Sequence, residues 1–233
     1  MWWKADLHIH SCLSPCGSLE MSPRLIAETA VNRGLDLIAL TDHNTAENCP
    51  AIREAARSKG IQVIYGTEIC TREEIHALCL FETVAAAREF GSMIYRKIPE
   101  GKRSRYTDDQ IIVDENEFVL GSLDKLLITG ADISFEKSLD LTVRFGGLFI
   151  PAHIDRTSYS VLSQIGYLPD LPYHGIEMIG DSNSLDTGKI TVVKNSDAHI
   201  PAHIGQRYFL FEGPEPAFGY LREALFAGAV RFT

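Results

Sequence analysis

Apolar runs and helix-period segments take turns along the first seventy residues, and that alternation limits the folds open to the chain more than any other feature. "ADLHI" is followed by a helical pattern over about 22 to 33, then "LDLIAL", a helix over about 46 to 59, and "IQVIYGTEI". A β-α-β-α-β order is the pattern of a parallel sheet or barrel. Ser22 before Pro23 reads as an N-cap with proline in the first turn, and Gly34 and Gly60 stand where the two helices stop. The next connection is different. Only "TREE" separates "VIYGTEIC" from "IHALCLF", and a parallel crossover needs about a dozen residues. These two strands are therefore expected to pair antiparallel, with His76 opposite or next to Glu68.

A helix then runs to about Tyr95, after which "KIPEGKRSRYTDDQ" breaks the rhythm as a polar loop and "IIVDENEFVLG" reads as a hairpin. Alternation returns with a helix over about 134 to 145, "GGLFIPAH", a short helix near 159 to 165, "HGIEMI", "ITVVKNSDAH", "YFLFE" and a last helix over about 215 to 227. At 233 residues and 45% hydrophobic, the chain has material for one large domain, 1–233, with residues 96–130 as an insertion. Trp2 and Trp3 enter the first strand and are expected to pack at the barrel bottom. No apolar run approaches the roughly 20 residues of a membrane span, and the first residues lack a signal-peptide pattern, so a cytoplasmic location and no membrane partner are expected.

Polar residues gather where the strands run out. In "DLHIH", His8 and His10 project to one side of an extended strand while Leu7 and Ile9 project into packing. Asp42 and His43 follow in "LTDHN", Glu68 in "YGTEI", His153 in "PAHID", and Asp197 and His199 in "NSDAH". In barrels of alternating strands and helices the carboxyl ends of the strands form the active face, so such residues converge. Each alone is explained equally well as a helix cap or strand terminator; their order along the chain points to a metal site. Imidazole and carboxylate without a thiolate pattern suit Mn, Fe or Zn. The five cysteines contain no C-x-x-C pair, so neither a disulfide framework nor a four-cysteine zinc site is suggested. Glu68 could bridge two ions with its two oxygens. Paired ions roughly 3.5 to 4 Å apart clamp attacking and leaving oxygens and acidify water, which is hydrolysis chemistry.

The ordered set "DLHIHS", "LTDHN", "GTEI", "EIHAL", "PAHID" and "SDAH" resembles the PHP (polymerase and histidinol phosphatase) family, in particular its stand-alone phosphoesterase-like members. The resemblance covers the chain except about 95 to 133. It implies an α/β fold, a distorted (β/α)7 TIM-like barrel, with two to three divalent metal ions and phosphoester hydrolysis. Carried over by position, it implies one ion at His8, His10, Glu68 and Asp197, a second at Glu68, His76 and His153, and a third at His43, His199 and one more ligand. Family members commonly place Asp or His for that ligand where this chain has Pro15 and Cys16. Cys16 either ligates as a thiolate or is a small buried cysteine.

The function expected is hydrolysis of a phosphate ester by a metal-bound hydroxide, with Glu68, His199 and Arg156 as the catalytic residues. Arg156 is expected to meet the substrate phosphate through its planar fork. Asp6 and Asp42 are expected to orient imidazoles, and His174 and His203 to be structural. The substrate class expected is a phosphomonoester, a nucleotide bisphosphate or the end of a short oligonucleotide. A net charge of -9 speaks against an extended nucleic-acid surface. The loop residues Arg96, Lys97, Lys102, Arg103 and Arg105 are either a solvated loop or a lid over the site, the last three contacting further phosphates. Hydrolysis of a C–N bond and a non-catalytic regulatory domain are the rival readings.

Overall fold

The computed structural model describes residues 1–101, 109–181 and 187–232. Its first strand, β1 (Trp2–Ile9), lies parallel to β2 (Leu37–Leu40), and β2 lies parallel to β3 (Gln62–Cys70). Helices α1 (Pro23–Asn32) and α2 (Cys49–Arg57) make the two crossovers. The Ser22 hydroxyl accepts the Leu25 N–H as α1 begins, the N-cap that Ser-Pro anticipates. After β3 the direction reverses into β4 (His76–Phe81), which pairs antiparallel with it. Cys70 stands opposite His76 and Glu68 opposite Leu78, so His76 and Glu68 are diagonal neighbours on one face.

From β4 the chain passes through α3 (Val84–Lys97), the hairpin β5 (Ile111–Val113) and β6 (Val119–Ser122), and α4 (Phe135–Arg144) to β7 (Leu148–Pro151). The remainder is α5 (Val161–Ile165), β8 (Ile176–Glu177), β9 (Val192–Val193), β10 (Phe209–Glu212), α6 (Phe218–Ala227) and β11 (Val230–Arg231). Among the described residues the main sheet has seven strands in the order β11-β10-β1-β2-β3-β4-β7, while β8 and β9 pair only with each other. Residues from both ends of that order, Phe209 and Phe211 of β10 and Leu148 and Ile150 of β7, share one buried cluster with Ala39, Ile64 and Leu78. The sheet is therefore curled around its own inner face.

This curled sheet of mixed direction agrees with a distorted TIM-like α/β fold, although among the described residues its seven strands do not alternate regularly with helices. The pairs β3/β4, β4/β7, β1/β10 and β10/β11 are antiparallel. "ITVVKNSDAH" yields only the two residues of β9; the following segment joins β1 through one isolated parallel bridge, Ile9 with Ala198, and through side chains. Leu7 N–H donates to Asn195 Oδ1 at 2.8 Å, and Ser196 N–H donates to Asp6 Oδ1 at 3.0 Å.

Helices cover the outer face. Ile38 and Leu40 pack with Ile26, Ala27 and Ile52 of α1 and α2, while Ile69, Ala77 and Cys79 pack with Phe90 and Ile94 of α3 and Leu139 of α4. One irregularity matters for function. Ala5 and Leu7 belong to the inner cluster, but Ile9 belongs to the outer layer, and the β1/β2 register shifts between Asp6 and Ile9. A regular strand would keep residues 5, 7 and 9 on one face. The expectation that Leu7 and Ile9 pack alike is thus corrected: the shift turns His8 and His10 inward above Leu7.

The hairpin is docked rather than loose. Ile111 N–H donates to Cys12 O at 3.3 Å, and Asn48 both donates to Ile111 O at 3.2 Å and accepts from Val113 N–H at 3.0 Å. Lys102, Arg103 and Arg105 lie outside the described residues. Among the described residues, no helix is long and apolar enough to cross a membrane.

Close approach of β3 and β4 is what aligns Glu68 with His76, and Gly66 permits it. A Cβ at that position would sit 2.4 Å from Cys79 O, a backbone atom that cannot swing away. Overpacking of this kind costs about 1–3 kcal/mol. Gly66→Ala is expected to lower Tm by several degrees in calorimetry, and a shift smaller than about 1 °C would overturn this account.

Candidate metal centre

Glu68, 1% exposed, stands at the centre of a ring of imidazoles. Its Oε1 is 2.9 Å from His76 Nδ1, 3.1 Å from His153 Nε2 and 3.3 Å from His8 Nε2. Its Oε2 is 3.1 Å from His43 Nδ1 and 3.3 Å from His10 Nε2. Asp197 closes another side, with Oδ1 at 3.3 Å from His8 Nε2 and 3.5 Å from His10 Nε2. The His199 ring stacks on that of His10 at 4.2 Å. Cys16 joins His10, His43 and His199 in a group whose ligand atoms lie within 4.8 Å of one another. His8, His10 and Asp197 form a second such group, and His43, Glu68 and His76 a third.

The far side of two rings decides what faces inward. His8 Nδ1 lies 3.0 and 3.1 Å from the two oxygens of Glu177, a carboxylate that can only accept. His10 Nδ1 lies 3.0 Å from Ser14 Oγ, whose own hydrogen is donated to Asp42 Oδ1 at 2.7 Å. Both Nδ1 atoms must therefore donate, and in the neutral rings both Nε2 atoms turn bare lone pairs inward. Those two atoms are 3.1 Å apart, with carboxylate oxygens around them. His43 Nδ1, His76 Nε2 and His153 Nδ1 are buried without a hydrogen-bond partner. Converging lone pairs and orphaned ring nitrogens are reconciled by cations, and the mix of imidazole and carboxylate suits a divalent transition metal.

Burial and the close packing of charges shift the protonation of the cage residues. Burial acts to lower the pKa of His10, but contacts with Asp197 and Glu68 carry it up to about 9. Burial would raise Glu68, yet His76, His8 and His43 hold it well below the usual carboxylate range. Burial and the neighbouring His10 push His199 down to about 4, leaving it neutral at pH 7. Burial and the carboxylate of Glu68 push the Cys16 thiol up to about 12, so the sulfur keeps its proton unless a cation stands beside it.

Two sequence expectations change. Asp6 touches no imidazole: its carboxylate accepts from the backbone N–H groups of His8, Ser196 and Gly205. It satisfies buried donors that no ladder pairs, and so ties β1 to the segment carrying Asp197. Asp42 acts one hydroxyl away, through Ser14, whose oxygen also accepts from His43 N–H at 3.2 Å. Ser14 and Glu177 were not legible as parts of the site. Glu177 accepts from Asn195 Nδ2 and from His153 N–H, both at 2.8 Å, besides facing His8. His174 Nδ1 accepts the Phe149 N–H at 3.1 Å, and His203 lies in a short 3-10 turn; neither reaches the cage.

The cage opens into a pocket of about 180 Å³ lined by Cys16, His43, Glu68, His76, Asp197 and His199 and, at its margin, Arg156, Ile128 and Tyr159. Arg156 Nη1 donates to Asp197 Oδ2 at 3.1 Å with its side chain about half exposed. A larger groove between α3 and α4 holds Arg72, Lys97, Lys137 and Arg144 but none of the cage; size does not mark the chemistry here. Three non-glycine residues at the cage have left-handed backbones: His153 (φ +30°), Tyr159 (φ +56°) and Asp197 (φ +53°).

A family model for the PHP domain matches residues 6–143. Phosphoribosyl 1,2-cyclic phosphate 1,2-diphosphodiesterase of Eggerthella lenta is 28% identical over 144 residues, covering 58% of this chain and 47% of that protein. The lesion-specific endonuclease Q of Pyrococcus furiosus has a similar fold, with a TM-score of 0.71 at 21% identity over 100% of this chain and 58% of that one. A chain from Bifidobacterium adolescentis assigned as a metal-dependent phosphoesterase gives a TM-score of 0.63 at 17% identity, covering 97% and 96% of the two chains. The chain spans about half the length of the curated relatives it matches.

Glu177 generates the prediction for this site. A carboxylate behind a ligating histidine typically affects metal affinity about 10- to 100-fold. Glu177→Gln is expected to weaken Mn binding by that order in competition with a chelator, while Glu68→Gln, at the centre of the ring, loses more ions by elemental analysis. A Glu177→Gln affinity within about twofold of the parent would remove it from the account.

Proposed function

The chain belongs to the PHP domain family, and from that premise we propose that it is a metal-dependent hydrolase of phosphate esters. The observation that carries the reading is the convergence on Glu68, where His8 and His10 aim Nε2 atoms 3.1 Å apart between the carboxylates of Glu68 and Asp197. His8, His10, Glu68 and Asp197 would hold one ion, and Glu68, His76 and His153 a second. His43, His199 and Cys16 would hold a third, with His10 also in reach. Divalent Mn, Fe or Zn there supplies Lewis acidity and a lowered pKa for water.

The chain's own residues account for the rest. Glu68 turns Oε1 toward His8, His76 and His153 and Oε2 toward His10 and His43, so its carboxylate is within reach of each proposed ligand set. Arg156, held by one nitrogen on Asp197, presents its remaining donors to the pocket, where a planar fork matches two oxygens of a phosphate. His199 is neutral at pH 7 and donates from Nδ1 to Asp197 O at 2.9 Å, so its Nε2 is an acceptor. Its proposed role is that of a ligand or of a base that takes up a proton at the pocket wall. The Eggerthella lenta relative is by name a phosphodiesterase of a cyclic phosphate and endonuclease Q is by name a lesion-specific endonuclease, which supports phosphoester chemistry with differing organic groups. A small phosphorylated molecule or a short oligonucleotide end is the substrate proposed. A C–N bond would meet the same ions, but a cation at the mouth favours an anion.

The test is to assay the Mn-loaded protein against phosphomonoesters, nucleotides and short oligonucleotides. Hydrolysis is expected, with loss on chelation and recovery on adding metal back. Arg156→Ala is expected to lower kcat/KM by about tenfold or more, the scale of one charge-assisted contact. No hydrolysis of any phosphate ester, or full activity after chelation, would overturn the reading.

A further inference from the structure

The pocket lining is of two chemical kinds. The cage and Arg156 are polar or charged; Tyr159 and Ile128, 40% and 37% exposed, add an aromatic and an aliphatic surface to the same pocket. Single exposed apolar residues are ordinary. These two are held in place by groups that belong to the site. The buried amide of Asn44 donates to Leu127 O at 2.7 Å and to Thr129 O at 2.9 Å, gripping the carbonyls on either side of Ile128. Its oxygen accepts the Cys70 N–H at 2.9 Å. Asn44 follows His43 directly, so the placement of Ile128 is coupled to a cage histidine.

Tyr159 is fixed from the other direction. Its carbonyl accepts the His76 N–H at 2.9 Å, and its ring stacks on the His76 imidazole at 4.8 Å and 27°. The backbone is left-handed at φ +56°, a conformation that costs a bulky aromatic residue energy. Such strain persists where the surroundings over-determine it, and clusters at sites that bind or react. One part of the ring is committed to His76, and the exposed remainder borders the pocket.

We infer that Tyr159 and Ile128 form a preorganised apolar shelf that takes the planar ring of an aryl or nucleobase-bearing phosphate ester. The inference rests on the phosphoester reading, which sets the phosphate beside Arg156 and the cage. Aromatic stacking and apolar contact then discriminate among phosphate esters by their organic group, a selection that the ions cannot make. No covalent step is involved.

The test uses two phosphonates whose P–C bonds a phosphoesterase leaves intact, phenylphosphonate and methylphosphonate, titrated into the Mn-loaded protein by calorimetry. The parent is expected to bind phenylphosphonate about 5- to 10-fold more tightly than methylphosphonate. Tyr159→Gly, which suits a left-handed backbone and so keeps the fold, and Ile128→Ala are each expected to reduce that ratio at least twofold. Tyr159→Phe is expected to preserve it. Equal affinities in the parent, no binding of either compound, or a ratio unchanged in both variants would overturn the shelf. Failures remain distinguishable: hydrolysis without ring preference removes only the shelf, and ring preference without hydrolysis of any ester removes only the phosphoester reading.

Discussion

A carboxylate buried among imidazoles cannot stay ionised without positive charge close by, and the architecture around Glu68 follows from that requirement. A buried anion is tolerated when paired and hydrogen-bonded, and is otherwise costly enough to change protonation. Around Glu68 five histidines arrive from four different segments: two at the end of β1, one after β2, one from β4 and one after β7. None is adjacent to Glu68 in sequence. The curl of the sheet brings them together, so the geometry of the centre and the closure of the inner face are one constraint.

The strand irregularity in β1 meets that constraint at the amino end. A uniform pleat would have buried the HxH pair against α1 and α2 or displaced Leu7 from the inner cluster. Shifting register between Asp6 and Ile9 lets one strand serve the hydrophobic floor with Ala5 and Leu7 and the polar mouth with His8 and His10. Its cost in lost ladder bonds is offset by side chains: Asn195 takes the Leu7 N–H and Asp6 takes those of Ser196 and Gly205. The polar network behind the ligands is thus also the joint between the first strand and the segment bearing Asp197.

What could be read in advance depended on how local the signal was. The reversal between β3 and β4 is dictated by a connection too short for any alternative, and the helix start at Ser22-Pro23 by capping chemistry. The convergence of His8, His10, His43, Glu68, His76, His153, Asp197 and His199 was approached through strand ends and ordered motifs. Glu177 escaped because a glutamate within "HGIEMI" is unremarkable until β8 places it behind both His8 and His153. The position of Asp6 suggests an imidazole partner, whereas two of the three backbone donors it serves are almost two hundred residues away. Ser14 and Tyr159 depend on a loop path and a backbone sign that a sequence pattern does not display. The join after β9 is a related case: those residues meet β1 through side chains and a single backbone bridge, which apolar periodicity does not report.

The joint between the two ends of the chain has a consequence for biogenesis. His8 and His10 leave a ribosome well before Asp197 and His199, and β1 gains its β10 neighbour later still. A nascent chain therefore presents a two-histidine chelate, while the intervening residues are made, without the carboxylate of Asp197 beside it. Contacts of such wide sequence separation form late and slowly, so any ion captured early would be held by fewer ligands and released more readily than by the finished cage. Selection among competing metals is in this way deferred until the fold has closed, when full coordination and folding stability become a single equilibrium.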